Sequence, residues 1–318
     1  SGLSEGIMWD FKNDRFANFL FEHYAISTDL VPDIVDTFCL QSKVDKIGAE
    51  ESGLAEGTPI LYRAGDQPNN ALSLNVFNPG EVAATGGTSG VVYAMTNSLS
   101  VKESSRVNNF AHVNYKKRND PRIGKLLCIN GAGIQYRWLL NNLSVFSYEE
   151  MNTLASDIPV GSDGVCMIPF GNGAERMLNN KDIGTRLVNI NLNNHGKAHI
   201  CRAALEGIAF SFVYGMEIMK SDGINVNVMR AGNDNLFRSE IFSNTVATLI
   251  GHEIEIYNTT GAIGAARASG LHKGDFETFG KYITDNDYVM TYKPLDDKQT
   301  YVEAYQLWKN ELELIINK

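Results

Sequence analysis

Apolar residues recur every three or four positions through residues 195–220, which is the spacing of one helix face. We expect the repeating positions to face the core: Ile200, Ala204, Ile208, Phe212, Met216 and Met219. Arg202 and Glu206 lie one helical turn apart, and we interpret them as an ion pair of a packing helix rather than a catalytic pair. Residues 298–317 carry a second amphipathic pattern, which predicts a closing helix.

Two short apolar runs follow the long helix, and each precedes a turn and a helical pattern. Residues 226–229 lead to a turn at 231–235 and a helix over 236–250. Residues 253–257 lead to a glycine-containing turn and helix start at 260–266. This alternation predicts an α/β fold in which the turns at the strand ends form the ligand-binding edge.

Residues 61–90 combine a strand end, a carboxylate and a glycine hairpin. An apolar strand pattern leads to Asp66, a helix is expected over residues 71–76, and two strands flank the turn Gly86-Gly87-Thr88-Ser89. Small residues leave the N–H groups of a turn free to approach an anion, which favours a base beside a phosphate cradle. The alternative is that Asp66 caps the helix and the glycines form an ordinary hairpin turn. This stretch alone does not decide between a catalytic and a purely structural interpretation.

The first residues predict an element that is already under way. Residues 7–10 have the pattern of an interior strand, and Asp14 is placed to cap a helix over residues 15–23. The segment has neither an initiator Met nor a capped first element. We therefore interpret the opening as the continuation of a longer chain.

Composition narrows the class of protein. A chain of 318 residues with 43% hydrophobic and 20% charged residues is typical of a globular protein with one large core or two smaller ones. The net charge of -9 argues against nucleic acid as a partner, because phosphate binding needs a basic face. The one basic cluster, Lys116-Lys117-Arg118, is interpreted as part of a solvated turn.

The remaining compositional signals concern location. No apolar stretch approaches the length of a membrane span, so no membrane is expected as a partner. Four cysteines are scattered singly as Cys39, Cys128, Cys166 and Cys201. We expect them to be small buried residues with free thiols in a protein of a reducing compartment. The expected location is the cytoplasm, while a homodimer is compatible with the sequence and the oligomeric state stays open.

Motifs for several common chemistries are missing from the sequence. There is no GxxxxGK[ST] phosphate loop, no HExxH or Cys/His zinc spacing and no GxSxG nucleophile elbow. Gly131-Ala132-Gly133 has Tyr136 where a dinucleotide-binding motif needs its third glycine, which argues against a dehydrogenase. What remains is one strand-end carboxylate and three glycine-bearing turns, an arrangement that would suit a nucleotide held by backbone groups.

Five motifs in a fixed order resemble the FGGY carbohydrate kinases, and the xylulokinase-like members most. They are Ala64-Gly65-Asp66-Gln67, Thr85-Gly86-Gly87-Thr88-Ser89-Gly90, the run from Arg202 to Phe210, Ala231-Gly232-Asn233-Asp234-Asn235, and Gly261-Ala262-Ile263-Gly264-Ala265-Ala266. Each motif alone is weak, but their order and spacing together are specific. The resemblance covers nearly the whole chain.

The resemblance implies an actin-like, ribonuclease-H-like ATPase fold with ATP and Mg²⁺ between two domains. It assigns residues 1–77 to the end of the sugar-binding domain and residues 78–318 to the ATP-binding domain. By this resemblance, Asp66 is the general base and Gln67 lies beside the sugar. The resemblance also implies that Gly87 and Thr88 contact the phosphates and that Gly232 and Asn235 contact the adenosine. It gives Gly261 and Gly264 a structural role and assigns no residue to the metal.

Several departures from the family pattern leave the function open. The Asp-x-Gly-Thr hairpin that opens the family is absent, Ala231-Gly232-Asn233 replaces a triple glycine, and Gly173-Ala174-Glu175-Arg176-Met177 replaces a Gly-Glu-Arg-Thr-Pro segment. D-xylulose is the first expectation for the phosphorylated sugar. Glycerol, ribulose, fuculose and gluconate are the alternatives, and a non-catalytic nucleotide-binding module is the alternative from another class.

Overall fold

A seven-stranded mixed sheet lies at the centre of the chain. The computed structural model describes residues 1–116, 121–271 and 274–317. The strands of the protein are Trp9–Asp10 (β1), Arg15–Phe16 (β2), Phe38–Lys43 (β3), Pro59–Tyr62 (β4), Glu81–Gly86 (β5), Gly90–Thr96 (β6), Asn108–Ala111 (β7), Ile123–Ile129 (β8), Cys166–Ile168 (β9), Arg186–Val188 (β10), Val228–Gly232 (β11), Ile254–Tyr257 (β12) and Tyr288–Tyr292 (β13). The central sheet has the order β13-β12-β11-β5-β6-β8-β7.

The helices cover both faces of this sheet. They are Gly2–Glu5 (α1), Asn18–His23 (α2), Lys46–Ser52 (α3), Asp66–Ser73 (α4), Gly133–Asn142 (α5), Tyr148–Ser156 (α6), Lys197–Ser221 (α7), Glu240–Ile250 (α8), Gly261–Ala268 (α9), Phe276–Asp287 (α10) and Lys298–Ile316 (α11). Among these described helices, none combines the length and the hydrophobicity that a membrane crossing needs. Short 3-10 turns occupy Thr28–Leu30, Ser162–Gly164, Arg176–Leu178 and Asn235–Arg238.

Alternating side chains of the strands build two apolar layers. In β5, Val82 and Ala84 belong to the layer that contains α7, α8 and α11. Ala83 points to the opposite layer, which contains α4 and α10 residues. Because successive strand residues face opposite sides, a central strand covered on both faces reads as a continuous apolar run.

The long helix α7 packs as its apolar stripe predicts, since most of its residues are buried. Gly207 lets the helix approach β9 closely, because a Cβ there would lie 2.0 Å from the Met167 carbonyl oxygen. The ion pair predicted within the helix is confirmed, with Arg202 Nε 2.7 Å from Glu206 Oε1. Glu206 also accepts hydrogen bonds from the Gly161 N–H and the Ser162 hydroxyl, so its buried charge is fully partnered.

The four cysteines are free, as their scattered spacing suggested. Cys166 and Cys201 are buried, while Cys39 and Cys128 are half-buried. Cys128 lies in β8 and Cys166 in β9, within the apolar runs. Of the predicted basic turn, Lys117 and Arg118 lie outside the described residues.

The opening strand and helix are shorter than predicted, and the strand is not an interior one. Trp9–Asp10 and Arg15–Phe16 form a two-stranded ribbon instead, and α2 begins only at Asn18. Asp14 has a φ of 54°, a left-handed conformation that suits a tight turn and not a helix N-cap. The rings of Trp9 and Phe16 pack edge-to-face at 5.7 Å, and this cross-strand contact outweighs the local helix signal.

The segment from Phe276 to Tyr292 was not anticipated from the sequence. Its helix α10 and strand β13 add an antiparallel edge strand beside β12. The strand residues Tyr288, Val289 and Met290 are exposed, so no burial pattern marks them. Only the pairing with β12 makes this stretch a strand.

A buried ion pair joins the sheet to the end of α7. Lys125 is fully buried in β8, and its ammonium donates to the carbonyl oxygens of Ser100 at 2.9 Å and Asp222 at 3.0 Å as well as to the Asp222 carboxylate. The same carboxylate accepts the N–H of Lys102 at 2.5 Å and that of Glu103 at 3.1 Å. The pair therefore fixes a loop, a strand and a helix end together.

Replacing Lys125 with methionine should destabilise the protein by about 3–5 kcal/mol, because the Asp222 carboxylate would stay buried without its cation. Urea unfolding at neutral pH measures the loss. The double variant Lys125→Met with Asp222→Asn is the control, and it should lose less than the sum of the two single changes. A loss below about 1 kcal/mol for Lys125→Met would show that the pair does not stabilise the fold.

Candidate nucleotide-binding edge and its carboxylate

Three parallel strands place the three predicted turns at one edge of the sheet. β11 pairs in parallel with β5 and with β12, and the register sets Ala231 opposite Ala84 and Gly232 opposite Tyr257. The carboxyl ends of the three strands therefore lie side by side. The turns that follow them, at residues 86–90, 231–235 and 258–260, are neighbours at the edge where open α/β sheets bind ligands. The third lies just before the turn predicted at 261–264, which is instead the first turn of α9.

The hairpin between β5 and β6 turns its carbonyl groups toward α5. The carbonyl oxygens of Gly87 and Thr88 accept the N–H groups of Gly133 and Ile134, each at 3.0 Å. Within the described part of the chain, the N–H groups of Gly87, Thr88 and Ser89 make no hydrogen bond. The turn thus offers free backbone donors, which is the arrangement that an anion needs.

The turn after β11 contacts the hairpin directly. A Cβ on Gly86 would lie 2.9 Å from the Leu236 side chain, so the absence of a side chain allows close contact. Asn235 precedes Leu236 with a φ of 48° and is exposed, while Gly232 is half-buried at the end of β11. The N–H of Asn233 donates to the Tyr257 carbonyl oxygen at 2.8 Å, which ties this turn to β12.

Asp66 is exposed at the first position of α4. The alternative that its side chain caps this helix is wrong, because Gly65 occupies the N-cap and no side-chain cap bond is formed there. Glu5 instead accepts the N–H of Gln67 at 3.2 Å. A Cβ on Gly65 would lie 1.5 Å from Glu5 Oε2, so the glycine makes room for the carboxyl group. The Asp66 carboxylate is therefore not used for capping.

Glu5 is a neighbour of Asp66 that the sequence did not single out. Burial raises the pKa of Glu5 to about 7, and a hydrogen bond to the Asp66 side chain acts in the same direction. Near neutral pH Glu5 therefore holds a proton for part of the time, which lowers the repulsion between the two carboxyl groups. Only the tertiary structure reveals this neighbour, since Glu5 and Asp66 lie far apart in sequence.

The helix that carries Asp66 contacts the candidate nucleotide-binding edge. Asn69 of α4 donates from Nδ2 to the Gly261 carbonyl oxygen at 2.8 Å, at the turn that follows β12. Burial raises the pKa of the Cys128 thiol, and the charge of Asp66 acts on it in the same direction. Cys128 pairs with Val91 in β6, next to the hairpin.

Gly264 allows α9 and α4 to pack against each other. A Cβ at this position would lie 2.3 Å from the Ser73 Cβ and 2.9 Å from its Cα. Gly261 has more room, since its nearest neighbour would be Asn69 Nδ2 at 3.4 Å. The packing agrees with the structural role expected for Gly264, while Gly261 shows no close approach that would require a glycine.

Gln135 is a polar residue of this region that sequence reasoning missed. It lies in the first turn of α5, is only 5% exposed, and neither amide atom has a hydrogen-bond partner among the described residues. A buried amide without a partner costs about 1–3 kcal/mol, so such a group is a candidate ligand contact. In the sequence it is an ordinary polar position of a helix.

The comparisons with known proteins agree with this architecture. Residues 82–271 match the C-terminal domain of the FGGY family of carbohydrate kinases. This match spans more than half of the chain, and the chain belongs to the FGGY family of carbohydrate kinases. The resemblance stated from the five motifs is confirmed.

Individual relatives are distant. The chain is 25% identical over 268 residues to a xylulose kinase of Haemophilus influenzae, covering 82% of this chain and 52% of the relative. It is 24% identical over 314 residues to a gluconokinase of Bacillus subtilis, covering 92% and 57%. The chain thus spans little more than half the length of the curated relatives it matches.

The fold is also that of solved structures. The crystal structure of Plasmodium falciparum glycerol kinase with ADP superposes with a TM-score of 0.85 at 19% identity, covering 97% of this chain and 61% of the other. At this identity the likeness establishes the fold alone. The predicted α/β, actin-like ATPase fold is confirmed.

Substituting Gly264 with alanine should lower stability by about 1–3 kcal/mol, because the new methyl group would overlap the backbone of α4. Gly261→Ala on the same helix is the matched control, and it should leave stability nearly unchanged because its Cβ meets only an ordinary contact. Thermal unfolding of both variants measures the difference. Equal melting temperatures for the two variants would contradict the close packing of α4 and α9.

Proposed function

We propose that this chain is the ATP-binding part of a sugar kinase, together with the end of its sugar-binding domain. In this proposal residues 1–77 belong to the sugar-binding domain and residues 78–318 form the ATP-binding domain. The protein transfers the γ-phosphoryl group of ATP to a sugar hydroxyl in the cytoplasm. The observation that carries the proposal is a hairpin with free N–H groups at the same sheet edge as two further turns, with the helix of the exposed Asp66 hydrogen-bonded to the start of α9 at that edge.

Asp66 is proposed as the general base. Its carboxylate accepts the proton of the attacking sugar hydroxyl as the oxygen approaches the γ-phosphorus. Its exposure and its freedom from helix capping support this role, and the neighbouring Glu5 moderates its charge. Gln67 follows it at the same helix start and is proposed to lie beside the sugar.

Backbone groups of the hairpin are proposed to hold the phosphates. The N–H groups of Gly87 and Thr88 donate to β- and γ-phosphate oxygens, where developing negative charge is stabilised by fixed dipoles. Gly232 and Asn235 are proposed to hold the adenosine, and their contact with the hairpin through Leu236 supports one continuous site. The Gln135 amide adds a donor and an acceptor close to this site.

We propose that Mg²⁺ binds mainly through the nucleotide. In the described part of the chain, no cluster of three or more His, Cys, Asp or Glu side chains could hold a metal ion. Mg²⁺ usually keeps several water ligands and binds through phosphates with one or two carboxylates. Bound in this way, it would neutralise charge on the phosphate oxygens.

D-xylulose is proposed as the sugar substrate, giving xylulose 5-phosphate. The similarity to a xylulose kinase supports this choice. The similar gluconokinase and a glycerol kinase of Rhodopirellula baltica, 27% identical over 288 residues, keep other polyols as alternatives. A non-catalytic nucleotide-binding module remains the alternative from another class.

Asp66→Asn, made in the full-length protein that contains this chain, should lower kcat by about 10²–10⁴-fold, because the amide cannot accept the hydroxyl proton. The affinity for ATP, measured by calorimetry, should stay within about twofold, since the change is not at the phosphate hairpin. Asp297→Asn at the start of α11 is the matched control and should keep normal turnover. Unchanged turnover in Asp66→Asn would favour the non-catalytic module.

A coupled ADP-release assay identifies the sugar. Xylulose should give the highest kcat/KM among xylulose, ribulose, fuculose, gluconate and glycerol. A higher kcat/KM for one of the other compounds would support the proposed phosphoryl transfer but show that this compound, and not xylulose, is the substrate. No stimulation of ADP release by any of the five compounds would overturn the kinase proposal for these sugars.

A further inference from the structure

Glu175 is a fully buried carboxylate, and within the described residues its oxygens bond backbone N–H groups and no cation. Its two oxygens accept the N–H of Asn130 at 3.0 Å and the N–H of Gly131 at 2.8 Å. The neighbouring Arg176 side chain donates instead to the Ser105 carbonyl oxygen at 2.9 Å. Burial raises the pKa of Glu175 to about 7, and the two N–H bonds oppose this shift only in part. The carboxylate is therefore costly to bury, which calls for a role beyond packing.

The group that Glu175 holds is the turn between β8 and α5. Asn130 Nδ2 donates to the Ala174 carbonyl oxygen at 2.9 Å, and Asn172 Nδ2 donates to the Asn130 carbonyl oxygen at 3.1 Å. Gly131 has no space for a side chain, since a Cβ would lie 2.0 Å from the Pro169 carbonyl oxygen. Residues 172–175 thus clamp the turn from several directions.

The same turn positions the proposed phosphate hairpin. Immediately after it, the N–H groups of Gly133 and Ile134 donate to the carbonyl oxygens of Gly87 and Thr88. A Cβ on Gly133 would lie 2.3 Å from the Gly87 carbonyl oxygen, so the two backbones are in direct contact. In a trans peptide group the N–H points away from the C=O, so a shift of the turn would also move the N–H groups of Thr88 and Ser89, which share these peptide groups.

We propose that Glu175 is a positioning residue that orients the hairpin N–H groups toward the phosphates of ATP through the β8–α5 turn. The proposal rests on the function proposed above. A carboxylate suits this task because its two oxygens accept two adjacent N–H groups at once. Fixed donors at a phosphate site gain their effect from being held in place before the charge develops.

Glu175→Gln tests the proposal, because it keeps the volume but replaces one acceptor oxygen with an N–H donor. The expected result in the full-length protein is an increase of about tenfold in the Kd and KM for ATP, with the KM for the sugar within about twofold. Calorimetric ATP binding is measured without turnover. A Kd for ATP equal to that of the unchanged protein would overturn the positioning role.

Glu206→Gln is the matched control for stability. Glu206 is also a buried carboxylate that accepts a backbone N–H, but it serves the Gly161 loop and pairs with Arg202. This variant should lower the melting temperature at least as much as Glu175→Gln and leave ATP affinity unchanged. Equal loss of ATP affinity in both variants would assign the effect to stability and contradict the proposal.

Asn172→Ala gives a milder test that does not disturb the core. Asn172 is exposed, and the change removes only its bond to the Asn130 carbonyl oxygen. We expect a two- to fivefold rise in the Kd for ATP, and no change would count against the clamp. If the unchanged protein itself fails to bind ATP, the proposed function fails; if it binds and none of these variants alters binding, only the positioning role fails.

Discussion

Parallel pairing of β5, β11 and β12 is the constraint on which the candidate site depends. Parallel strands end at the same edge of a sheet, and their register here sets three chain turns side by side. In the proposed site, each turn would contribute backbone groups in place of a dedicated phosphate loop. The long helix α7 and the buried layer beneath it keep these strands in position, so the core and the site share one framework.

Close backbone approach is the second physical feature of this framework. Glycine at 133 and 264 removes side chains where a hairpin meets a helix and where two helices cross. At each position a methyl group would overlap backbone atoms of the neighbouring element. The packing that brings the hairpin to α5 and α4 to α9 thus depends on residues that contribute almost no contact area of their own.

Much of the α/β core could be predicted from the sequence. The stripe of α7, the strands around the glycine hairpin and the buried Arg202–Glu206 pair are local patterns whose period or spacing survives in the fold. The short opening segment could not be predicted, because its two-residue strands are defined by their pairing with each other across a turn. The exposed edge strand β13 carries no burial pattern for the same reason: its identity comes from a partner strand.

By itself, the sequence determined the family and the strand–turn–helix order of the core, since motifs and periodicity are properties of neighbouring positions; the roles it assigns to Asp66 and the glycine turns stay predictions. Only the tertiary structure decided which groups meet. It placed Glu5 against Asp66, Glu175 under the turn before α5, and Lys125 against Asp222. Each of these pairs joins residues that are far apart in the chain, and a buried charge finds its partner through packing, which no local pattern records.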